Sequence, residues 1–280
     1  MAAALKPGQG PLDYGSRLWM KVLFILVSIF LYAPIISLIV FSFNVDKTGV
    51  WHGFTFQNYI KAWNNDSIFN ALANSLSIAF ISTIFSTIFG AMIALTLWRF
   101  KFPFKAGFEG FLAIPIVVPE ICMGVALALF YNQTGMMLAV RDWLWPFNLI
   151  NIIIAHIAFS FPFVAVVVRS RLIGFNRQLE EASKDLGATE FQTFMNVIVP
   201  FMMPSLIAGA LLAFTLSLDD FVITFFSSGP GSVTFPVKIY SMVKNSITPQ
   251  INAASTVLIV ITLIATVIAM KLQTPSKSGH

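Results

Sequence analysis

Six long apolar stretches, separated by shorter polar ones, organise this chain of 280 residues. They run Val22–Phe43, Ala71–Trp98, Gly110–Tyr131, Phe147–Val168, Phe201–Phe226 and Ile251–Met270. Each reaches the ~20 residues an α-helix needs to cross the hydrocarbon core of a bilayer. Most lack the polar stripe of a helix half-buried in a soluble core. The pattern predicts an all-α polytopic membrane protein, with six transmembrane helices over residues 22–270 and short mobile tails at 1–21 and 271–280. The first stretch is too long for the apolar region of a signal peptide and lacks a small-residue cleavage pattern, so it reads as an uncleaved first helix.

The polar insert between the fourth and fifth stretches, residues 169–200, has a pattern of its own. Gln178–Leu186 is rich in helix formers and ends at Gly187, where a left-handed stop residue belongs. Thr189-Glu190-Phe191-Gln192 then has capping-box form, a hydroxyl at the N-cap and an amide three residues on. The helix it starts sets Phe191, Phe194, Met195 and Ile198 on one face, at i, i+3, i+4 and i+7. Pro200 and Pro204 flank the entry to the fifth stretch. The expected product is a short helix-turn-helix with an apolar ridge. Such a ridge either enters a groove on another protein or packs back on its own bundle or the lipid interface.

Composition and charge sharpen the class. Hydrophobic residues make up 57% and charged residues 10%, against about 25% charged in soluble domains. With the first tail inside, twelve of the 17 Lys and Arg face the cytoplasm, among them Arg99, Arg169, Arg171 and Arg177. Five, Lys47, Lys61, Arg141, Lys238 and Lys244, face out. This positive-inside bias places both termini in the cytoplasm, and it explains the net charge of +5 without a nucleic-acid partner. Cys122 is the one cysteine, so no internal disulfide forms, and its apolar setting predicts a buried thiol. In the outward loop Asn44–Phe69, Trp51, Phe54, Phe56, Tyr59 and Trp63 suit the headgroup level or contact with a ligand or docking protein. Ser228–Ser232 is a turn cluster that breaks the preceding helix.

Three acids lie inside apolar stretches: Glu120, Asp219 and Asp220. A carboxylate at mid-bilayer costs roughly 2.5–3.5 kcal/mol on insertion scales, so each needs a partner or a wet cavity. Glu120 follows Pro115 and Pro119, which kink or break the third helix. Asp219 and Asp220 are adjacent, about 100° apart around a helix, and cannot point the same way. These three are the candidate pathway residues, with helix packing, capping or ion pairing as the alternative for each. His156 stands alone in the fourth stretch, and a hydrogen-bonded packing role is expected of it. Catalytic and metal sites are not predicted: no Ser/His/Asp grouping, HExxH or metal-spaced His/Cys cluster occurs.

The spacing of Glu181-Ala182-Ser183, Gly187 and Val197-Ile198-Val199-Pro200 matches the EAA loop of membrane subunits of ATP-driven importers. The chain resembles the permease subunits of binding-protein-dependent ABC importers, and in particular the spermidine/putrescine permeases, second permease type. Phe214–Phe221, Tyr32-Ala33-Pro34, Ser42-Phe43-Asn44, Ile239–Lys244 and Pro249–Ala253 extend the resemblance along the chain. Ser183, Val197 and Val199 depart mildly from the motif.

The resemblance implies a type I ABC importer permease fold in a bacterial inner membrane, carrying a polyamine. The implied partners are a second homologous permease, a cytoplasmic ABC ATPase dimer and a periplasmic polyamine-binding protein. No cofactor is implied on this chain; ATP and Mg would sit on the ATPase. Glu181, Ala182, Ser183, Asp185, Gly187, Phe191, Phe194 and Pro200 would form the ATPase-coupling surface. Two other readings compete: a self-sufficient proton-coupled carrier using Glu120, His156 or the Asp pair, and an integral-membrane enzyme.

Overall fold

The computed structural model describes residues 18–46, 50–137, 148–229, 231–245 and 248–273. Its described residues form helices: α1 Leu18–Phe41, α2 Gln57–Trp63, α3 Asp66–Arg99, α4 Lys105–Val117, α5 Glu120–Met137 and α6 Leu149–Ile173. There follow α7 Gln178–Asp185, α8 Glu190–Thr193, a wide turn Phe194–Ile198, α9 Val199–Asp219, α10 Val222–Ser227, α11 Phe235–Asn245 and α12 Pro249–Gln273. Five of these runs are long and apolar enough to span a membrane, counting Glu190–Asp219 as one, and α4 with α5, bent by 105° at their break, counts as a sixth if the pair is one broken span rather than a re-entrant loop. The tails expected at 1–21 and 271–280 lie mostly outside the described residues; α1 already includes 18–21 and α12 reaches Gln273.

Two compact units make up the chain. The first comprises Met1–Ala62 and Ile247–Thr256. Here α1 buries no residue, and Met20, Leu38, Ile39 and Phe41 are its partly covered apolar positions. The segment after α1 is pinned by polar contacts. Asn58 donates to the carbonyls of Ser42 (2.9 Å) and Asn44 (2.7 Å), Ser42 Oγ meets Tyr59 Oη at 2.7 Å, and Phe43 stacks on Phe54. Phe54 and Trp51 themselves stay exposed.

The second unit, Trp63–Ser246 and Val257–His280, has α3, α6 and α9 at its core. Along α3 most buried positions are small (Ala71, Ser75, Ala79, Ser82, Ser86, Gly90 and Ala94), with Ile68, Ile78 and Leu97 among them. Small residues let backbones approach closely where apolar burial gives helices no drive to associate. The approach is closest at Val164 of α6: a Cβ on Gly90 would lie 2.6 Å from Val164 Cβ, and one on Gly209 of α9 would lie 2.9 Å from Val164 Cγ1.

Three sequence-based expectations need correction. The fifth apolar stretch, Phe201–Phe226, is two helices, because Asp220 leaves helical geometry (ψ 124°) and turns its side chain onto the start of α10. Cys122 is exposed, not buried, because it sits on the open side of α5. The expected single ridge of Phe191, Phe194, Met195 and Ile198 is divided. Phe191 and Met195 are exposed, whereas Ile198 is buried and Phe194 packs against the core. The inward face is centred instead on Thr193, whose hydroxyl meets Ser183 Oγ at 3.1 Å beneath α7.

Candidate functional site

Two constellations in the second unit bear the residues that the sequence singles out. The first forms where two interrupted helices meet. The proline-bounded break at Val118–Pro119 starts α5 at Glu120, and the break at Asp220 starts α10. Helices α5 and α10 pack together, with Gly124 against Phe226: a Cβ at Gly124 would lie 2.8 Å from Phe226 Cδ2. Glu120 and Asp219 are both exposed and lie within electrostatic reach of each other. Just beyond, Phe221, Phe225 and Tyr240 form an aromatic group with centroids 5.0–6.4 Å apart.

Asp220 has the opposite surroundings. It is buried, and its carboxylate caps α10, accepting from Ile223 N (3.2 Å) and Thr224 N (2.8 Å). The Thr224 hydroxyl donates to the same carboxylate at 2.8 Å. A hydroxyl has one proton to give, so Thr224 accepts from His156 Nε2 at 2.9 Å. Asp220 lies 3.3 Å from that nitrogen. The other ring nitrogen, Nδ1, meets Ser217 Oγ at 2.6 Å, and Ser217 accepts from Ser82 at 3.0 Å. One polar chain thus crosses the apolar core from α3 through α9 and α6 to α10. His156, 1% exposed, has both ring nitrogens engaged. Among the described residues no group of three or more His, Cys, Asp or Glu could hold a metal ion.

The second constellation is the hairpin of α7 and α8. Gly187 takes the left-handed conformation (φ +83°) at the end of α7. The capping box at Thr189 is complete, with Gln192 N donating to Thr189 Oγ1 at 3.2 Å and Thr189 N to Gln192 Oε1 at 2.9 Å. Glu181, Ala182, Asp185, Gly187, Phe191 and Pro200 are exposed, Ser183 is half-buried and Phe194 is packed inside. The apolar ridge that remains consists of Leu179, Leu186 and Phe191, with Leu186 89% and Phe191 72% exposed. Leu186 is a residue that sequence reasoning passed over, although it directly precedes the stop glycine.

Glu180, next to the motif glutamate, was likewise not singled out. It is 9% exposed, and Arg99 at the end of α3 grips it with a two-pronged fork, Nη1 to Oε2 at 3.0 Å and Nη2 to Oε1 at 2.8 Å. Lys184 bridges Glu180 (3.3 Å) and Glu190 (2.7 Å), and Arg99 reaches Glu190 at 3.8 Å. The Arg99 fork, helped by Lys184 and opposed by burial, holds the Glu180 carboxyl below its ordinary range. Around the fork, Arg177 lies over the Trp98 ring, and Arg171 over that of Phe201. Arg169 pairs with Glu109 of α4 at 2.8 Å.

Residues 86–274 match the family described as binding-protein-dependent transport system inner membrane component, and the chain belongs to this family. It is 39% identical over 252 residues to the spermidine/putrescine transport system permease protein PotC of Escherichia coli (strain K12), covering 90% of this chain and 92% of that protein. Over 245 residues it is 38% identical to the putrescine transport system permease protein PotI of the same organism, covering 86% and 85%. Among solved structures it resembles a bacterial ABC transporter involved in the import of the acidic polysaccharide alginate. That match has a TM-score of 0.69 at 16% identity and covers 91% of this chain and 95% of that one. A methionine ABC transporter, MetNI, matches with a TM-score of 0.58 at 17% identity, over 73% of this chain and 94% of that one. At such identities the likeness speaks for the fold alone. The protein is a membrane permease subunit of an ABC importer, with the type I fold and no catalytic role of its own.

Proposed function

We propose that this chain forms half of the translocation pathway for a polyamine, putrescine or spermidine, delivered by a periplasmic binding protein. The observation that carries the reading is the meeting of two helix breaks at Glu120 and Asp219 in a chain 37–39% identical to polyamine permeases. Interrupted membrane helices place polar backbone ends and side chains where a solute passes. Exposed carboxylates are matched to ammonium groups, since opposite charge offsets part of the desolvation both must undergo. The rings of Phe221, Phe225 and Tyr240 add faces that attract cations.

Glu120 and Asp219 are the pathway carboxylates in this reading, and Asp220 shapes the break. The hairpin's exposed ridge, with Glu181 beside it, docks a cytoplasmic ATPase dimer, which supplies ATP and Mg. A second, homologous permease completes the pathway. The ends of α3 and α6, with Arg99, Arg169 and Arg171, then lie in the cytoplasm, and so do both termini.

The test is uptake of labelled putrescine and spermidine into vesicles that hold the assembled complex with ATP inside and binding protein outside. Saturable uptake that needs both ATP and the binding protein is the expected result. Uptake that persists without ATP would return the chain to the class of self-sufficient carriers. Failure with both polyamines in a complex that hydrolyses ATP would move the substrate elsewhere.

A further inference from the structure

We propose that the Arg99–Glu180 fork is the positioning pair that ties the ATPase-facing hairpin to the membrane bundle, so that movement of α7 is delivered to the end of α3. The inference rests on the reading of the hairpin as the ATPase dock.

Helix α7 has a single buried residue, and that residue is the charged Glu180. Apolar packing therefore does not hold this helix to the bundle. The hairpin is anchored at two points of different character. At one, Phe194 and Ile198 enter the apolar core with Val168, Leu172 and Met202. At the other, Glu180 is caught by Arg99. Between them lies a cavity of about 200 Å³ lined by Leu95, Trp98, Arg99, Glu180, Thr193 and Phe194, among others.

The fork spans a place where packing is incomplete. A two-pronged guanidinium–carboxylate pair fixes orientation as well as distance. Pulling or turning α7 thus moves Arg99, and Arg99 is the last residue of a 34-residue helix whose buried face, mostly small residues, packs against α6 and α9. Lys184 and Glu190 close the charge cluster across the hairpin, so α7 and α8 move as one piece.

The experiment uses the full importer complex, with the uptake of the unaltered chain as reference. The variants are Glu180→Gln, Arg99→Gln, Arg99→Lys and the exchange Arg99→Glu with Glu180→Arg. Three readouts are taken: ATPase co-purification, dependence of ATP hydrolysis on binding protein, and polyamine taken up per ATP. Glu180→Gln and Arg99→Gln are expected to keep the ATPase bound and hydrolysing, lose the stimulation by binding protein, and lower uptake per ATP about tenfold. Arg99→Lys, which keeps the charge and loses the fork, falls between, and the exchange recovers part of the coupling.

Unchanged uptake per ATP in both single variants overturns the proposal. So does loss of ATPase association in every variant, Arg99→Lys included, because the pair would then serve only the hairpin's own fold. If the unaltered complex itself shows no ATP-dependent uptake, the functional reading fails, not the pair; stimulation of hydrolysis by binding protein still reads the pair.

Discussion

Asp219 and Asp220 are neighbours in the chain with unlike tasks, and substitution separates them. Replacing Asp220 by Ala leaves α10 uncapped and removes the acceptor of the Ile223 and Thr224 amides and of the Thr224 hydroxyl. Orphaning buried donors costs about 1–3 kcal/mol, so Asp220→Ala is expected to lower thermal stability of the detergent-solubilised complex measurably. Asp219→Asn leaves that network intact. It is expected to weaken polyamine uptake several-fold with no loss of assembly, read as initial rates beside yield and melting temperature. An equal loss of stability in both would remove the distinction drawn between them. The sequence already carried half of this: adjacent residues on a helix diverge by about 100°. It did not carry the choice between them: the amides and hydroxyl that capture Asp220 lie three and four positions on but meet it only because the helix breaks there, and the His156 beside them comes from another helix, 64 positions away.

At the scale of the element, the hairpin joins an outward ridge to an inward grip. Glu181→Arg is expected to abolish uptake by undocking the ATPase while the membrane helices stay inserted, shown by loss of co-purification at unchanged protein level. Thr189→Ala breaks the capping box, which is worth about 1 kcal/mol. It is expected to raise amide exchange in residues 189–193 without touching the bundle.

The fork on Glu180 has a pH signature. Its carboxyl is held below the ordinary range chiefly by Arg99. A depressed carboxyl stabilises at any pH above its unfolded value, about 4.3, and the contribution vanishes as pH falls through the depressed value. Protection of the α7 amides in the intact complex, taken as the exchange rate relative to the intrinsic rate at the same pH, is therefore expected to stay flat from neutral pH down to about 5 and to fall only in stronger acid. A loss of protection centred near neutral pH would show that Glu180 is not what holds α7. The stop glycine, the capping box and the two-helix form were legible from local chemistry, since each is fixed within four residues. Which residues of the ridge face out was not, because the core that claims Phe194 and Ile198 is assembled from α3, α6 and α9.

At the scale of the molecule, the bundle depends on close backbone approach at Val164. Gly90→Leu places a side chain where even a Cβ lies 2.6 Å from Val164 Cβ and 2.9 Å from the Phe161 carbonyl oxygen. Relief requires α3 and α6 to separate, so the variant is expected to fail to accumulate as an assembled subunit, whereas Val164→Ala is tolerated. Normal yield and uptake for Gly90→Leu would mean that the seam does not organise the fold. Apolar length picked out the six long stretches, and Pro115 with Pro119 marked the break before Glu120. The break at Asp220 stayed hidden, because no proline or glycine marks it and a buried carboxylate does the work. The small-residue row of α3, Ser82, Ser86, Gly90 and Ala94 at intervals of four, was written in the sequence, but nothing there says which helix it faces.

If the hairpin docks the ATPase as proposed, the division of α7 between Glu180 and its outward neighbours separates what a motor touches from what the permease itself holds. Positions 179, 181, 182, 186 and 191 touch little of this chain, whereas 180, 183 and 193 are held by it. Under that docking the outer set is free to drift toward a different ATPase without disturbing the permease, and the inner set is not. Transplanting only those five side chains from a permease served by another ATPase would re-address this subunit to that motor while leaving its own gearing intact.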